Sequence, residues 1–406
     1  MLSKWLESLR NWRVWGTFMA LQVPAMRTYF KYVYPSYGIL LPLLLAIAFC
    51  ASLYLLRSRR AGTIGDKLLG SKWTGCGLIA LLVAVNVVVY PIADSLKYQR
   101  RGSDQDDILI QAAAQLERGH NPYEGSTYLH NPFSPGPGWI LAVFPFSASG
   151  CYSLLTPAFV LLLWFCLRAL TGSNVAANKA VALLATSPIF WELMVVGSDL
   201  IAVACLIVGT LTLVSLRWGR GVFWDSLTII AGVVLCTSRA VFLFLPIATA
   251  TLFVVRRRTR AAVYTSVGIA CSLGIHAIFY FWNHEQVQSI TGMRYPPLHL
   301  FGKGNRLVPN SLKVACVCLL IGAFLYAVET YSSDVRRWLY LTWLLLVIPL
   351  GFVSAGDLIF VDSWCWACWE GANYLVLPMT VYVAYVCCDF ATEENLAGSV
   401  DSPKRC

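Results

Sequence analysis

Residues 74–93, TGCGLIALLVAVNVVVYPIA, form an uncharged apolar run that decides the fold of this chain. About 20 apolar residues cross the hydrocarbon core of a bilayer as a helix. A longer run, 226–255, is interrupted at Arg239 and has basic residues at both outer ends, so it predicts two short helices forming an inverted V. Further apolar runs lie at 38–56, 139–168, 178–196, 199–216, 261–282, 311–328, 337–355 and 371–388. The sequence therefore predicts an all-α polytopic integral membrane protein with about nine to eleven transmembrane helices.

The composition agrees with a membrane protein. Of the 406 residues, 58% are hydrophobic and 13% are charged, whereas soluble domains have about 45–50% and 25%. The net charge of +10 could suggest a nucleic-acid partner, but Lys and Arg cluster at the ends of the apolar runs, as the positive-inside rule requires. We therefore expect a membrane environment and no nucleic acid.

Motifs for metal, nucleotide and serine-hydrolase chemistry are absent from the sequence. There is no His-Glu-x-x-His, no Gly-x-x-x-x-Gly-Lys and no Gly-x-Ser-x-Gly. We predict neither a metal site nor a cofactor. The Cys365-Trp-Ala-Cys368 segment could be a redox pair, half of a metal site or a local disulfide, and a structural or incidental pair is favoured because no second Cys/His pair is near.

The basic loops set the expected orientation. Residues 57–72 are strongly basic and predict a cytoplasmic loop. Alternation of the spans then places 94–137, 283–310 and 356–370 on the extracytoplasmic face of a cell membrane, most simply the bacterial inner membrane. The N-terminus comes out external by the same count, although its basic residues favour the opposite side.

Three regions are expected along the chain. Residues 1–37 are predicted to be an interfacial amphipathic segment, anchored by Trp5, Trp12 and Trp15. Residues 38–388 are predicted to be the transmembrane domain, in which 94–137 is the first external loop. Residues 389–406 are predicted to be a loosely ordered cytoplasmic tail.

The first external loop carries the residues that suggest chemistry. A helix is predicted over 106–119, and Asp104, Asp106 and Asp107 stand at its N-terminus. The helix dipole favours anions at that position, so capping accounts for one aspartate. Three carboxylates beside an apolar span cost desolvation and repulsion, which favours a general-base role for at least one of them.

Beyond this helix the loop turns twice. The first turn is Gly119-His-Asn-Pro-Tyr123, and the second, Asn131-Pro-Phe-Ser-Pro-Gly-Pro-Gly138, begins an apparent re-entry into the membrane. The segment resembles the GT-C superfamily of polytopic glycosyltransferases, in particular the bacterial mannosyltransferases of lipoglycan assembly. The resemblance is carried by Asp104, Asp106, Asp107, Ala112–Ala114, Gly119, Pro122, Tyr123, Asn131, Pro132 and Pro135.

The resemblance implies a polyprenyl-phosphate sugar as donor, with mannose as the default sugar, and a lipid or glycan as acceptor. An aspartate of the first external loop would be the general base, and transfer would invert the anomeric carbon. Asp106 is the preferred base, with Asp107 and Asp104 as alternatives.

Other residues are expected to bind the substrate. Arg239 is the candidate for holding the leaving phosphate, and a snorkelling or core-paired arginine is the alternative. Asp199 either binds sugar hydroxyls or caps a helix. The remaining predicted binding residues are Tyr123, Asn131, His284 and Arg294.

Two other functions stay open. A transporter or flippase of a lipid-linked substrate would place ionisable groups near the bilayer midplane and often shows inverted repeats. The acidic cluster lies instead in a loop, and the sequence shows no repeat. A GT-C-like protein without activity, acting as an assembly partner, is the other possibility.

Overall fold

The all-α membrane class is confirmed by a computed structural model. It describes residues 12–32, 40–57, 64–96, 103–128, 130, 133–218, 220–239, 242, 244–282, 310–330, 334–356 and 370–400. These residues form α-helices joined by turns and short 3-10 segments, and no β-strand occurs among them. Among the residues described, six helices are long and apolar enough to cross a membrane: Lys72–Ser95, Tyr152–Thr171, Thr259–Phe281, Asn310–Glu329, Val335–Ala355 and Asn373–Thr392.

The α-helices are numbered in chain order. They are α1 Trp12–Tyr32, α2 Leu40–Arg57, α3 Ile64–Gly70, α4 Lys72–Ser95, α5 Asp107–Glu117, α6 Pro137–Ala148, α7 Leu155–Thr171, α8 Asn174–Leu184, α9 Pro188–Val195, α10 Leu200–Leu216, α11 Val222–Ser238, α12 Phe244–Val255, α13 Thr259–Phe281, α14 Asn310–Glu329, α15 Val335–Gly356 and α16 Val376–Val400. Short 3-10 segments occur at Pro122–Glu124, Tyr152–Leu154 and Glu370–Leu375.

Residues with known capping behaviour set several helix ends. Ser71 precedes α4, and its hydroxyl accepts a hydrogen bond from the Trp73 backbone N–H. Proline opens α6 and α9, where its missing N–H costs nothing. Gly172, with φ of +67°, ends α7 in the left-handed conformation that glycine adopts without strain.

Two predicted spans are corrected, because an apolar run need not be one helix. Run 139–168 divides into α6 and α7, and run 178–196 divides into α8 and α9. A 12-residue helix such as α6 is about 18 Å long, too short to cross a hydrocarbon core of about 30 Å. Helices α9 and α10 meet at a bend of 109°, so they make at most one broken span.

The run 226–255 is two helices, as predicted. Helix α11 ends at Ser238, and Arg239 continues in an extended conformation. Asp225 at the start of α11 pairs with Arg260 at the start of α13, with 3.4 Å between Oδ2 and Nη2. Since α13 follows α12 closely, the outer ends of α11 and α12 lie together, which is the inverted V.

Charge separates the two ends of the helix bundle. One end carries the acidic residues of the first external loop, and we call it the acidic end. The other end, called the basic end, includes Arg256, whose guanidinium donates to the Glu329 carbonyl at 3.2 Å, and Arg336, which pairs with Asp389 at 3.4 Å. The positive-inside rule predicts that a basic end of this kind faces the cytoplasm.

Helix α1 is attached to the rest of the bundle. Arg13 pairs with Asp389 at 2.9 Å, so α1 begins at the basic end. One side of α1 packs against the bundle, because Ser187 donates to the Leu21 carbonyl at 3.0 Å and Tyr382 lies against Gly16, whereas Trp12 and Trp15 are exposed. The expected tail boundary at residue 389 falls within α16, which continues to Val400.

The core of the bundle lies around α10, which packs against α7, α11 and α16. Its residues from Ile201 to Cys205 are fully buried. The span Asn373–Thr392 is also mostly enclosed, whereas Asn310–Glu329 exposes most of its apolar surface. A helix that is apolar all round belongs in the core or against lipid, and both cases occur here.

Candidate active site

Three carboxylates meet at the acidic end. Asp106 and Asp107 begin α5, and Asp94 lies in the last turn of α4. Oxygen atoms of the three side chains all lie within 4.8 Å of one another. Asp106 and Asp107 are buried, with 1% and 6% of their surface exposed, and Asp94 is half-buried. Such an all-oxygen set can act in proton transfer or offer ligands to a hard divalent cation.

Tyr90 fixes the Asp106 carboxylate. Its hydroxyl donates to Oδ2 of Asp106 at 2.7 Å. Tyr90 and Asp94 are four residues apart on α4, so they share one face of that helix. The end of the fourth helix therefore supplies both a hydrogen-bond donor and a third carboxylate to the site.

Helix capping does not account for Asp106. The residue occupies the N-cap position of α5, but its side chain makes no capping hydrogen bond. Asp104 has a different role, because it accepts a hydrogen bond from the Thr127 hydroxyl at 2.6 Å and ties the two ends of the loop together. The predicted helix is confirmed as Asp107–Glu117, with Leu109 and Ala112 on its buried side.

The turn Gly197-Ser-Asp199 closes onto Asp106. Gly197 has φ of +71°, and a Cβ there would lie 2.7 Å from Cβ of Asp106 and from the Tyr90 ring. The Tyr152 hydroxyl donates to the Gly197 carbonyl at 2.9 Å. Only glycine permits this approach, since any side chain would collide with the neighbours and strain the backbone.

Asp199 lies at the centre of a buried ionic cluster. One carboxylate oxygen accepts from Nη2 of Arg239 at 2.7 Å, and the other accepts from the Trp139 indole N–H at 2.7 Å. The side chains of Asp199 and Arg239 are 4% and 6% exposed. Asp199 precedes α10 but makes no capping hydrogen bond. The cluster joins three helices that lie far apart in sequence: α6, α10 and α11.

Arg239 is a core-paired arginine in this structure, which is the alternative that the sequence left open. Besides Asp199, its guanidinium donates to the Ser238 carbonyl at 2.7 Å and interacts with Tyr374. Holding a leaving phosphate would require Arg239 to exchange one of these partners. The pairing therefore favours a structural part for Arg239 at least as much as a phosphate-binding one.

Glycines bring the start of α6 against this cluster. Gly136 and Gly138 both lie against Thr237, and a Cβ at either position would overlap it. The Gly136 N–H donates to the Ser238 carbonyl at 3.3 Å. The N-terminus of α6 thus meets the C-terminal carbonyls of α11, which pairs opposite ends of two helix dipoles. His276 of α13 also borders Gly136.

Both ends of the α6 segment return to the same turn. Trp139 binds Asp199 near the start of α6, and Tyr152 binds Gly197 after its end. Both ends of the α6 segment therefore lie near the turn Gly197–Asp199 at the acidic end.

Tyr123 has a different place from the one expected of a substrate-binding residue. Its ring is fully buried, and its hydroxyl donates to the Pro135 carbonyl at 2.9 Å. Asn121, next to it, caps the 3-10 segment and donates to the Phe279 carbonyl at 3.1 Å. These contacts position the first external loop against α13, and Tyr123 holds the loop through its bond to Pro135.

The other predicted binding residues lie outside the described residues: Asn131, His284 and Arg294, together with the Cys365–Cys368 pair. Sequence reasoning placed Asp106 and Asp107 correctly at a helix N-terminus but missed Tyr90, Asp94 and Trp139. A tyrosine and an aspartate four residues apart at the end of a span were the available signal. No signal in a single sequence indicates that Trp139 would reach Asp199.

Comparison with known proteins leaves the family open. No protein-family model, no curated protein and no solved structure matches the chain. The site is therefore interpreted from its own geometry, which joins a three-carboxylate cluster to a buried ionic cluster through the turn at Gly197.

Proposed function

We propose that this protein is a membrane glycosyltransferase that moves a sugar from a polyprenyl-phosphate donor to a lipid or glycan acceptor. Mannose is the first sugar to test, and the extracytoplasmic face of a bacterial inner membrane is the proposed location. The observation that carries the proposal is the buried Asp106–Asp107 pair at the acidic end. It lies beside the short apolar helix α6 and at the end of the bundle opposite the arginine-rich end.

Asp106 acts as the general base in this proposal. Its carboxylate takes the proton of an acceptor hydroxyl, and the hydroxyl oxygen attacks the anomeric carbon of the donor. The bond between that carbon and the phosphate oxygen breaks, so the lipid phosphate leaves with the bonding electrons and the anomeric configuration inverts. The Tyr90 hydrogen bond at 2.7 Å fixes the carboxylate during this transfer.

Burial sets a condition on the mechanism. Asp106 is 1% exposed, so an acceptor reaches it only after the loop 103–128 or the turn at Gly197 moves. Exclusion of water would strengthen the electrostatic action of the carboxylates and protect the activated donor from hydrolysis. Cations for the leaving phosphate would come from Arg239 or from His284 and Arg294 of the second external loop.

The test is transfer of radiolabelled mannose from polyprenyl-phosphate mannose to membrane lipid by purified protein. We expect Asp106→Asn to lower transfer at least about a hundredfold, the usual size of a general-base effect. Glu117→Gln is the matched control, because Glu117 is exposed at the other end of the same helix. Equal activity of the Asp106 and Glu117 variants at matched folding would refute the role of Asp106 as the base.

A transporter or flippase of lipid-linked sugar is the second candidate, and one observation favours it. Two helix breaks, the 109° bend between α9 and α10 and the break after α11, meet at the buried Asp199–Arg239 pair. Broken helices around buried charges are typical of transporters. Movement of labelled lipid-linked sugar across proteoliposomes without transfer would support this function. If the protein shows neither movement nor transfer of the labelled sugar, an inactive assembly partner is favoured.

A further inference from the structure

An apolar cavity lies within the bundle, away from the carboxylates. It has a volume of about 160 Å³ and is bounded by α10, α11, α12, α13, α14 and α15. No side chain that lines it is exposed. The lining of α11 runs from Thr228 to Cys236, and eight residues of helix correspond to about 12 Å along the axis. The cavity is therefore elongated in the direction of the helices.

Two glycines in the cavity lining have free space beside them. A Cβ at Gly232 of α11 or Gly268 of α13 would meet no atom within 4 Å, and both residues line the cavity. The remaining lining is mostly aliphatic and aromatic. A dry cavity of about 150 Å³ in another protein takes up benzene, so this space suits a segment of hydrocarbon chain and offers little to a polar ligand.

One end of the cavity is lined by Trp218, Tyr264 and Trp338 and lies at the basic end. Tyrosine and tryptophan favour the level of the lipid headgroups. At its other end the lining reaches Cys236, three residues before Arg239, so the cavity approaches the candidate active site but is lined by none of its residues.

Exposed arginines lie near this end of the cavity. Arg260 stacks on the ring of Tyr264, with 5.6 Å from guanidinium carbon to ring centroid. Arg217 adjoins Trp218 in sequence and stacks on Trp224 at 4.6 Å. Next to the lining residue Phe253, the turn between α12 and α13 carries three consecutive exposed arginines: Arg256, Arg257 and Arg258.

We propose that this cavity and its arginines bind an anionic glycerophospholipid from the leaflet at the basic end. Part of one acyl chain occupies the cavity, and the phosphate contacts the turn Arg256–Arg258. A phospholipid combines the two chemistries that the site presents, a hydrocarbon chain at membrane depth and a negative charge at the headgroup level. The proposal is independent of the proposed transferase function and concerns the other end of the molecule.

The test is a titration of the purified full chain with dioleoyl phosphatidylglycerol and dioleoyl phosphatidylcholine, followed by native mass spectrometry. We expect one phosphatidylglycerol to bind about tenfold more tightly than phosphatidylcholine, since each nearby arginine contributes about fivefold and not all contact the headgroup. The triple variant Arg256→Gln, Arg257→Gln, Arg258→Gln should lose that preference.

Matched controls separate this site from general attraction between a basic surface and anionic lipid. The triple variant Lys67→Gln, Lys72→Gln, Arg168→Gln removes the same charge away from the cavity and should keep the preference. Gly268→Leu should fill the cavity and weaken the binding of both lipids. Gly274→Leu is its control, because Gly274 lies on the same helix, has open space for a side chain and does not line the cavity.

Three results would overturn the proposal. If both triple variants lose the preference for phosphatidylglycerol equally, the preference comes from general electrostatic attraction. Unchanged affinity in Gly268→Leu, with helicity and elution volume like those of the parent chain, would show that no acyl chain enters the cavity. Tighter binding of polyprenyl phosphate than of phosphatidylglycerol would assign the cavity to a different lipid.

Discussion

The buried pair of Asp199 and Arg239 gives the sharpest test of how the acidic end is held together. Their side chains are 4% and 6% exposed and 2.7 Å apart. Removing one partner of a buried ion pair typically costs about 3–5 kcal/mol, because the other charge stays buried. Asp199 keeps the Trp139 hydrogen bond and Arg239 keeps the Ser238 carbonyl. We therefore expect about 3 kcal/mol for Asp199→Asn or Arg239→Gln, at the lower end of that range.

A double-mutant cycle isolates the pair itself. If the ion pair is as fully desolvated as its burial indicates, the double variant should lose about 2 kcal/mol less unfolding free energy than the sum of the two single variants. Free energies of unfolding would come from reversible detergent titration in mixed micelles, with circular dichroism as the readout. Polar contacts between membrane helices often give only about 0.6 kcal/mol, so the measured coupling distinguishes an ion pair from an ordinary interhelical contact.

The pair of Asp225 and Arg260 is the matched control. Its atoms are 3.4 Å apart, and the Asp225 side chain is 3% exposed, whereas the Arg260 side chain is 67% exposed. Because the Arg260 charge is mostly outside the protein, we expect the cycle of Asp225→Asn with Arg260→Gln to give a coupling of about 0.2–1 kcal/mol, as in exposed pairs. A coupling of Asp199 with Arg239 no larger than in this control would refute the reasoning.

Three further variants test the contacts that build the bundle. Gly197→Ala should lower the free energy of unfolding by at least about 1 kcal/mol more than Gly150→Ala does. Both glycines have positive φ, but only a Cβ at position 197 collides with Asp106. Equal losses of unfolding free energy in detergent titration would contradict this. Tyr90→Phe removes the hydrogen bond to Asp106 and should reduce kcat of sugar transfer about fivefold with KM unchanged, so unaltered kcat would exclude a positioning role. Asn178→Ala removes buried hydrogen bonds at the basic end and should cost about 2–4 kcal/mol of unfolding free energy, while transfer per folded molecule stays the same.

The sequence predicts the membrane class because apolar length is a local property. Apolar length alone does not distinguish a run that forms one spanning helix from a run that divides into two shorter helices. Run 139–168 is long enough to cross, yet it turns near Gly150, which has φ of +70°. Pro188 opens α9 and was a usable signal for the break in run 178–196, since a helix usually ends before a proline. The interruption at Arg239 was detected because polar residues stand inside an apolar run.

The candidate site was predictable only in part, because its halves are distant in sequence. The helix beginning at Asp107 follows from local periodicity and composition. The approach of Gly197 to Asp106 depends on how α4, α5 and the α9–α10 bend pack together, and no local pattern encodes that. Arg239 shows the same limit, since a guanidinium in an apolar run predicts a partner but not its identity.

The placement of polar groups argues that the acidic end was not shaped by stability alone. Replacing a buried ion pair by well-packed apolar residues is often neutral or stabilising, and a third carboxylate beside Asp106 and Asp107 adds repulsion. This chain instead uses glycine at position 197 to bring backbone against Asp106, and glycine at positions 136 and 138 to bring α6 against Thr237, two residues before Arg239. Single buried charged residues also occur at the basic end, at Lys179, Asp225 and Asp389. Among the described residues, however, the group of three carboxylates within 4.8 Å of one another lies at the acidic end. A close group of like charges is the pattern expected where a binding or catalytic site is maintained at the expense of packing.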